Sequence, residues 1–399
     1  MNGRKVRLCV LTPIHPSTLM GGAEYQINCL LDTLAPTGRY EIYYLAAWAS
    51  TDLQPHGYRV VPVGRGDGMP RFGFLMHAKP LLRILKQIGP DVIYQRVACA
   101  YTGLAAFYAR RHGTRLIWHV SSDSDVTPGS RDTGRNRVRR VLEKRSIEFG
   151  IRHASHIVTQ TTGQARLLEE HYGRTADAVI PNFHPEPSET IDKTRPISVV
   201  WVANLKRLKQ PEVFVRLAEK LRDLAEVRFV MIGAPASGSG DRDWNEAVMT
   251  GIRSTPNLAY LGQKSQKEIN ELLARAHVLV NTSLYEGYPN TFIQAWLREV
   301  PVVSLQVDPD GVMAREGIGI CAGSEERLVQ AVRTYATDPT LRALDGRRAQ
   351  RYAIRRHSLN NVQSLVRLID TGRIDPAERI AGVPDDSVCD EPPSARSKS

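Results

Sequence analysis

Apolar residues along this chain fall into two alternating rhythms. Short β-branched runs read as strands: "VRLCVLT" (6–12), "YEIYYLAAW" (40–48), "DVIYQR" (91–96), "RLIWHVSS" (115–122), "SHIVTQT" (155–161) and "DAVIPN" (177–182). Stretches with helical spacing lie between them, among them "LLRILKQI", "TGLAAFYARR" and "TGQARLLEEHY". The rhythm restarts with "ISVVWVAN" (197–204), "VRFVMIG" (227–233), "HVLVNTS" (277–283) and "VPVVSL" (300–305), with "EVFVRLAEKL" and "EINELLARA" as helical partners. Strand alternating with helix predicts parallel sheets joined by right-handed crossovers. The two series are separated by "PNFHPEPSETIDKTRP", a polar stretch holding four prolines. The expected fold is therefore α/β, with two Rossmann-like domains facing a central cleft. The expected bounds are 1–183 and 184–370, and the last helix could cross back to the first domain. Residues 371–399, rich in Pro, Asp and Ser, read as a disordered tail. Open parallel sheets bind ligands at the carboxyl ends of their strands, so the cleft is the expected site.

Composition narrows the class. The 399 residues are 42% apolar and 24% charged, ordinary for a globular protein. No apolar run approaches the ~20 residues that span a bilayer. "LCVL" near the N-terminus is too short for a signal-peptide core. Five dispersed cysteines without CxxC spacing argue against a disulfide framework or a zinc site, and for a reducing cytoplasm. The net charge of +11 favours anionic partners. It is concentrated in "RDTGRNRVRRVLEKR" (131–145), which reads either as a solvated helix face or as a surface for anionic lipid on the inner face of the membrane. No aromatics are interleaved there, which argues against nucleic acid.

Three stretches carry candidate chemistry. Gly21 and Gly22 sit where the first strand turns into a helix, and such glycines permit positive φ and close approach of oxygens to backbone N–H groups. In "NLKRLKQP", Asn204 ends a strand, and Lys206, Arg207 and Lys209 precede a helix opened by Pro211. Three cations beside a helix N-terminus form an anion trap. In "LYEGYPNTFIQAW" (284–296), Glu286 lies in a turn with no neighbouring cation in sequence, and a helix follows. Its amides at Asn290, Thr291 and Phe292 are expected to point outward, suiting a diphosphate. Gln294 reads either as the partner of Thr291 in a capping box or as an acceptor for a ribose hydroxyl.

The ordered set "GGAE" (21–24), "IPN" (180–182), "NLKRLKQP" (204–211) and "EGYPNTFIQA" (286–295) resembles the retaining, nucleotide-sugar-dependent glycosyltransferases of family four, the glycosyl transferases group 1, which have the GT-B fold. The resemblance spans about 1–370. It implies a sugar transferred from a nucleotide-diphosphate donor to a glycan, lipid-linked or small-molecule hydroxyl, in polysaccharide or glycoconjugate synthesis. It places Glu286 on the donor sugar, and Gly22 and Lys209 on the diphosphate. It places position 294, here glutamine instead of the usual glutamate, on the ribose. It implies no metal and no cofactor beyond the donor. Many relatives carry a histidine at the end of the strand read as "RLIWHVSS". Here Ser121 fills that slot; His119, on the same strand face, reads either as a satisfied core residue or as the group that takes its place, for which Asp123 at the rim is the other candidate.

Three other readings remain open on sequence. Asp123-x-Asp125 could hold a divalent metal, as in the other glycosyltransferase architecture, although such clusters usually cap turns. The chain could be a nucleotide-sugar epimerase. It could also be a non-catalytic nucleotide- or nucleic-acid-binding protein using 131–145.

Overall fold

The computed structural model describes residues 4–374 apart from 19, 50–54, 56, 66–73, 129–136 and 236–241. β1 (Val6–Ile14) lies inside a seven-stranded parallel sheet, third in order, and its central residues are apolar on both faces as that position requires. Cys9 lies opposite Tyr43 on one side and Ile93 on the other. The other strands are β2 (Tyr40–Trp48), β3 (Arg59–Pro62), β4 (Val92–Arg96), β5 (Arg115–His119), β6 (His156–Thr159) and β7 (Ala178–Val179). Their spatial order is β3-β2-β1-β4-β5-β6-β7. The crossovers carry α1 (Gly22–Leu34), α2 (Leu75–Ile88), α3 (Ala100–His112), α4 (Asp123–Val126), α5 (Arg137–His153) and α6 (Thr162–Tyr172).

The second sheet repeats this winding with six parallel strands in the order β10-β9-β8-β11-β12-β13. They are β8 (Ile197–Val202), β9 (Val227–Ile232), β10 (Leu258–Tyr260), β11 (Val278–Asn281), β12 (Val302–Ser304) and β13 (Gly319–Cys321). Its helices are α7 (Pro211–Lys220), α8 (Arg242–Ser254), α9 (Gln266–Arg275), α10 (Asn290–Trp296), α11 (Val312–Glu316), α12 (Glu325–Thr337) and α13 (Pro339–His357). Each sheet is sandwiched between two apolar clusters, as an all-parallel sheet requires.

α14 (Asn360–Thr371) returns to the first sheet. Leu365, Leu368 and Ile369 join the cluster of Leu8, Val10 and Ile117. Tyr40 donates to Asp370 at 2.5 Å, and Arg115 Nη1 donates to the Ile369 carbonyl at 2.7 Å. The helix closes at Thr371 with Gly372 as a left-handed cap, so the first residues expected in the tail are ordered. The tail from 375 onward lies outside the described residues, as do 131–136 of the basic stretch.

Candidate active site

The loops that leave the carboxyl ends of both sheets meet each other. A β-carbon on Gly287, after β11, would lie 2.8 Å from the Ser121 carbonyl, after β5. Asp310, after β12, accepts from the amides of Thr162 and Gly163, after β6, at 3.0 Å each. Asn290, at the start of α10, donates to the Gly22 carbonyl, at the start of α1, at 2.9 Å. The three stretches singled out in the sequence thus share one junction.

Lys209 ends a short 3₁₀ turn (Arg207–Lys209) after β8. The turn is anchored by Thr282 Oγ1, which donates to the Lys209 carbonyl at 2.6 Å and accepts from Trp201 Nε1 at 2.9 Å. Lys209 Nζ pairs with Glu286 Oε1, to which Ser283 Oγ also donates at 2.7 Å. Glu286 therefore has a cation beside it, which its sequence neighbours did not indicate, because the lysine comes from the loop after a different strand. The two side chains are only 21% and 18% exposed.

The other cations separate. Lys206 is exposed, and its charge, with that of Arg96, draws down a Glu24 carboxyl that burial pushes up. Arg207 lies over the Trp244 ring at 5.1 Å, within its own half of the molecule. Asn204 Oδ1 accepts from the Ala234 amide at 3.3 Å, bridging the loops after β8 and β9. Gly21 is extended (φ −110°) and caps α1, so the glycine pair does not use positive φ. Crowding favours it instead: a β-carbon would lie 2.8 Å from Asn290 Nδ2 at Gly22, while at Gly21 it would meet only the movable Glu24 carboxylate, at 2.5 Å.

Two expectations for 290–294 change. α10 is capped by Pro289 and no capping box forms at Thr291. Phe292 N donates to the Pro289 carbonyl at 3.1 Å, so its amide is already used. Gln294 is buried, and its amide donates to Gln266 Oε1 at 3.0 Å and Asn270 Oδ1 at 2.8 Å on α9.

His119 is corrected outright. It is 0% exposed and lies 3.0 Å from the Tyr94 hydroxyl through Nδ1. Burial, with Arg96 nearby, holds its pKa well below the usual imidazole range, so it is a neutral core residue. Asp123 does reach the cleft. It opens α4, accepts from Gln164 Nε2 at 3.2 Å, and has its carboxyl pushed up by burial, with Asp310 and Glu286 adding to the rise. Asp125 points inward and its two oxygens accept from the amides of Ala98, Ser121 and Ser122 at 2.8–3.2 Å. Asp123 and Asp125 thus diverge and do not form a paired metal site. A cavity of about 490 Å³ opens beside this pair of loops, lined by Asp123, Gln164, Arg166, Glu170, Glu286 and Asp310 among others. Asp310, Gln26 and Asn182 were not legible as site residues. Asn182 ends the "IPN" stretch, which carried no role of its own in the sequence, and nothing in the spacing of Asp310 or Gln26 marks them, since each meets a partner in the other half of the chain.

Comparison with known proteins places this geometry. Residues 7–182 match the glycosyl transferase 4-like domain, and residues 196–338 match the glycosyl transferases group 1 family. The chain is 28% identical over 177 residues to alpha-galactosylglucosyldiacylglycerol synthase of Streptococcus pneumoniae, covering 41% of this chain and 46% of that one. It spans about half the length of the curated relatives it matches. Sucrose-phosphate synthase of Thermosynechococcus elongatus has a similar structure, with TM-score 0.72, 14% identity, and coverage of 92% of this chain and 100% of that one. Anabaena HepE, solved in complex with UDP and glucose, superposes with TM-score 0.73 and 17% identity over 92% of this chain and 100% of that one. The two halves of the chain thus belong in turn to the glycosyl transferase 4-like domain and to the glycosyl transferases group 1, on a GT-B architecture.

Proposed function

We propose that the chain is a retaining transferase that moves a sugar from a nucleoside-diphosphate sugar to a hydroxyl acceptor in glycoconjugate or polysaccharide synthesis. The observation that carries this reading is the Lys209–Glu286 pair, held at the strand ends of the second sheet opposite the Gly21–Gly22 turn of the first. Charge gathers on the diphosphate as the glycosidic bond breaks. Lys209, the amides of Gly22, Asn290 and Thr291, and the cation at Lys206 are the groups that would meet it. Preorganised donors of this kind each contribute on the order of 2.7–4 kcal/mol to lowering a barrier. Glu286 would accept from hydroxyls of the donor sugar. The acceptor's proton passes to the departing phosphate oxygen, and no metal takes part. The carboxylates of the 490 Å³ cavity, Asp123 foremost, suit a polyhydroxy acceptor, since they accept from hydroxyls and repel anions. The fold relative solved with UDP and glucose supports a nucleotide-sugar donor.

A screen across UDP-, GDP- and ADP-sugars, followed by nucleotide release, tests this. Release is expected with an acceptor present, to persist with chelator, and to fall at least ~100-fold in Lys209→Ala and Glu286→Ala. Variants that transfer like wild type would sink the site assignment.

The same reading places the enzyme at the cytoplasmic face of an anionic membrane, where a lipid-linked acceptor waits. α5 supports this: Val138 and Val141 are 69% and 43% exposed on a helix that also carries Arg140, Lys144 and Arg145. No helix among the described residues is long and apolar enough to cross a membrane. Flotation with liposomes should depend on anionic lipid and weaken with salt. Equal flotation on neutral vesicles would count against it.

A further inference from the structure

The backbone of Tyr288 and the side chain of Asn290 join the 286–294 segment to the first half of the molecule. Asn290 Nδ2 donates to the Gly22 carbonyl at 2.9 Å. Its Oδ1 faces three donors, Gln26 Nε2 at 3.0 Å, Asn182 Nδ2 at 3.2 Å and His184 Nε2 at 3.3 Å. All three of those residues are 0–2% exposed.

The orientation of this carboxamide is dictated from the first half. Arg96 is fully buried and can only donate, and its Nη2 is 2.9 Å from Asn182 Oδ1. That fixes Asn182 with its NH₂ toward Asn290 Oδ1 and the Tyr288 carbonyl, at 3.0 Å from the latter. Gln26 is fixed likewise, because Oε1 accepts from the Phe183 amide and Nε2 donates to the Phe183 carbonyl. With those donors set, Asn290 must turn its oxygen to them and its NH₂ to Gly22. Turned the other way, it would set N–H against the N–H groups of Gln26 and Asn182, both buried. A β-carbon at Gly22 would crowd this contact, lying 2.8 Å from Asn290 Nδ2.

Resting on the function proposed above, we infer that Asn290 is a positioning residue for transfer. Gln26, Asn182 and His184 aim its side chain, and that side chain sets the spacing between the Gly21–Gly22 turn and the Lys209–Glu286 pair. Its role is distinct from that of its backbone amide, because both ends of the carboxamide are engaged by protein groups. Nucleotide binding, which needs mostly the second half, should then be separable from turnover, which needs both.

The test is a double-mutant cycle between Gln26→Ala and Asn290→Ala, with UDP affinity by calorimetry and kcat for the donor that wild type turns over. UDP affinity is expected to stay within about threefold of wild type, while kcat falls at least tenfold in each single variant. The double variant should be no more than about twofold worse than the poorer single. His184→Gln, which keeps an N–H donor, should retain several-fold more activity than His184→Ala and serves if the Asn290 variant fails to fold. Multiplicative losses in the double variant, or UDP affinity falling in step with kcat, would overturn the inference. A wild type that releases no nucleotide from any nucleotide sugar removes the underlying function instead.

Discussion

Lys209 and Glu286 are each other's counter-ion in the cleft. A bound donor would have to divide them, the lysine turning to phosphate and the carboxylate to sugar hydroxyls. This makes stability and activity separable. Lys209→Met strands a largely buried carboxylate and should lower stability by roughly 1–2 kcal/mol, below the figure for fully buried pairs because both groups keep some water contact. Adding Glu286→Gln should restore the melting temperature and leave transfer abolished. Thermal denaturation beside an activity assay checks this, and a double variant as unstable as the single would refute it. At this scale the sequence was informative about residues that a short motif carries, Glu286 and Lys209. Of the two readings of His119 the core one holds, because the strand it ends is covered on both faces, and alternation alone does not choose between them.

The inner strands were readable because they are short apolar runs, and the restart after Pro196 marked the second sheet, whereas β3, β10 and β13 at or near the sheet edges, short and only partly buried, were not. The start of α10 was not. Its apparent capping box is locally sound, yet the cap is Pro289, and Asn290 turns to Gln26, 264 residues away. The same long-range logic governs α6. Its own Thr161 accepts from Gln164 N, but the amides of Thr162 and Gly163 are capped by Asp310 from the second half. Asp310 holds this position from a left-handed backbone (φ 52°), which asparagine tolerates better than alanine. Asp310→Asn should therefore keep part of the cap and Asp310→Ala none, at a cost of about 1 kcal/mol or more. Amide hydrogen exchange should speed at 162–163 in the order wild type, Asp310→Asn, Asp310→Ala. Unchanged exchange at those two amides in Asp310→Ala would show that the halves are not joined there.

For the molecule as a whole, the junction between the halves is built on imidazoles that must stay neutral. His184 stacks on Tyr25 at 4.8 Å and faces Asn290, while His357 links the Asn182 carbonyl, at 2.7 Å, to the Tyr288 hydroxyl, at 2.9 Å. Burial lowers His184 to about 3 and His357 to about 4, and lowers His277 in the second half to about 4. An unfolded histidine takes its proton near pH 6.5, so between pH 6.5 and these folded values the unfolded chain binds more protons. Stability is then complete above about pH 6.5 and is lost as the pH falls, by up to about 1.4 kcal/mol per pH unit for each histidine. Carboxyls raised by burial, Glu24, Asp123 and Asp308, act in the opposite sense lower down, so the clearest window is roughly pH 5–6.5. Melting temperatures should decline across that window, and His184→Gln should reduce the slope by about one proton's worth. Because His184 and His357 bridge the halves, cleft closure should weaken before either sheet melts, and small-angle scattering would report an expansion at pH 5 with far-ultraviolet dichroism unchanged. Dimensions that stay constant until the secondary structure is lost would show that the buried imidazoles stabilise the cores rather than the closure.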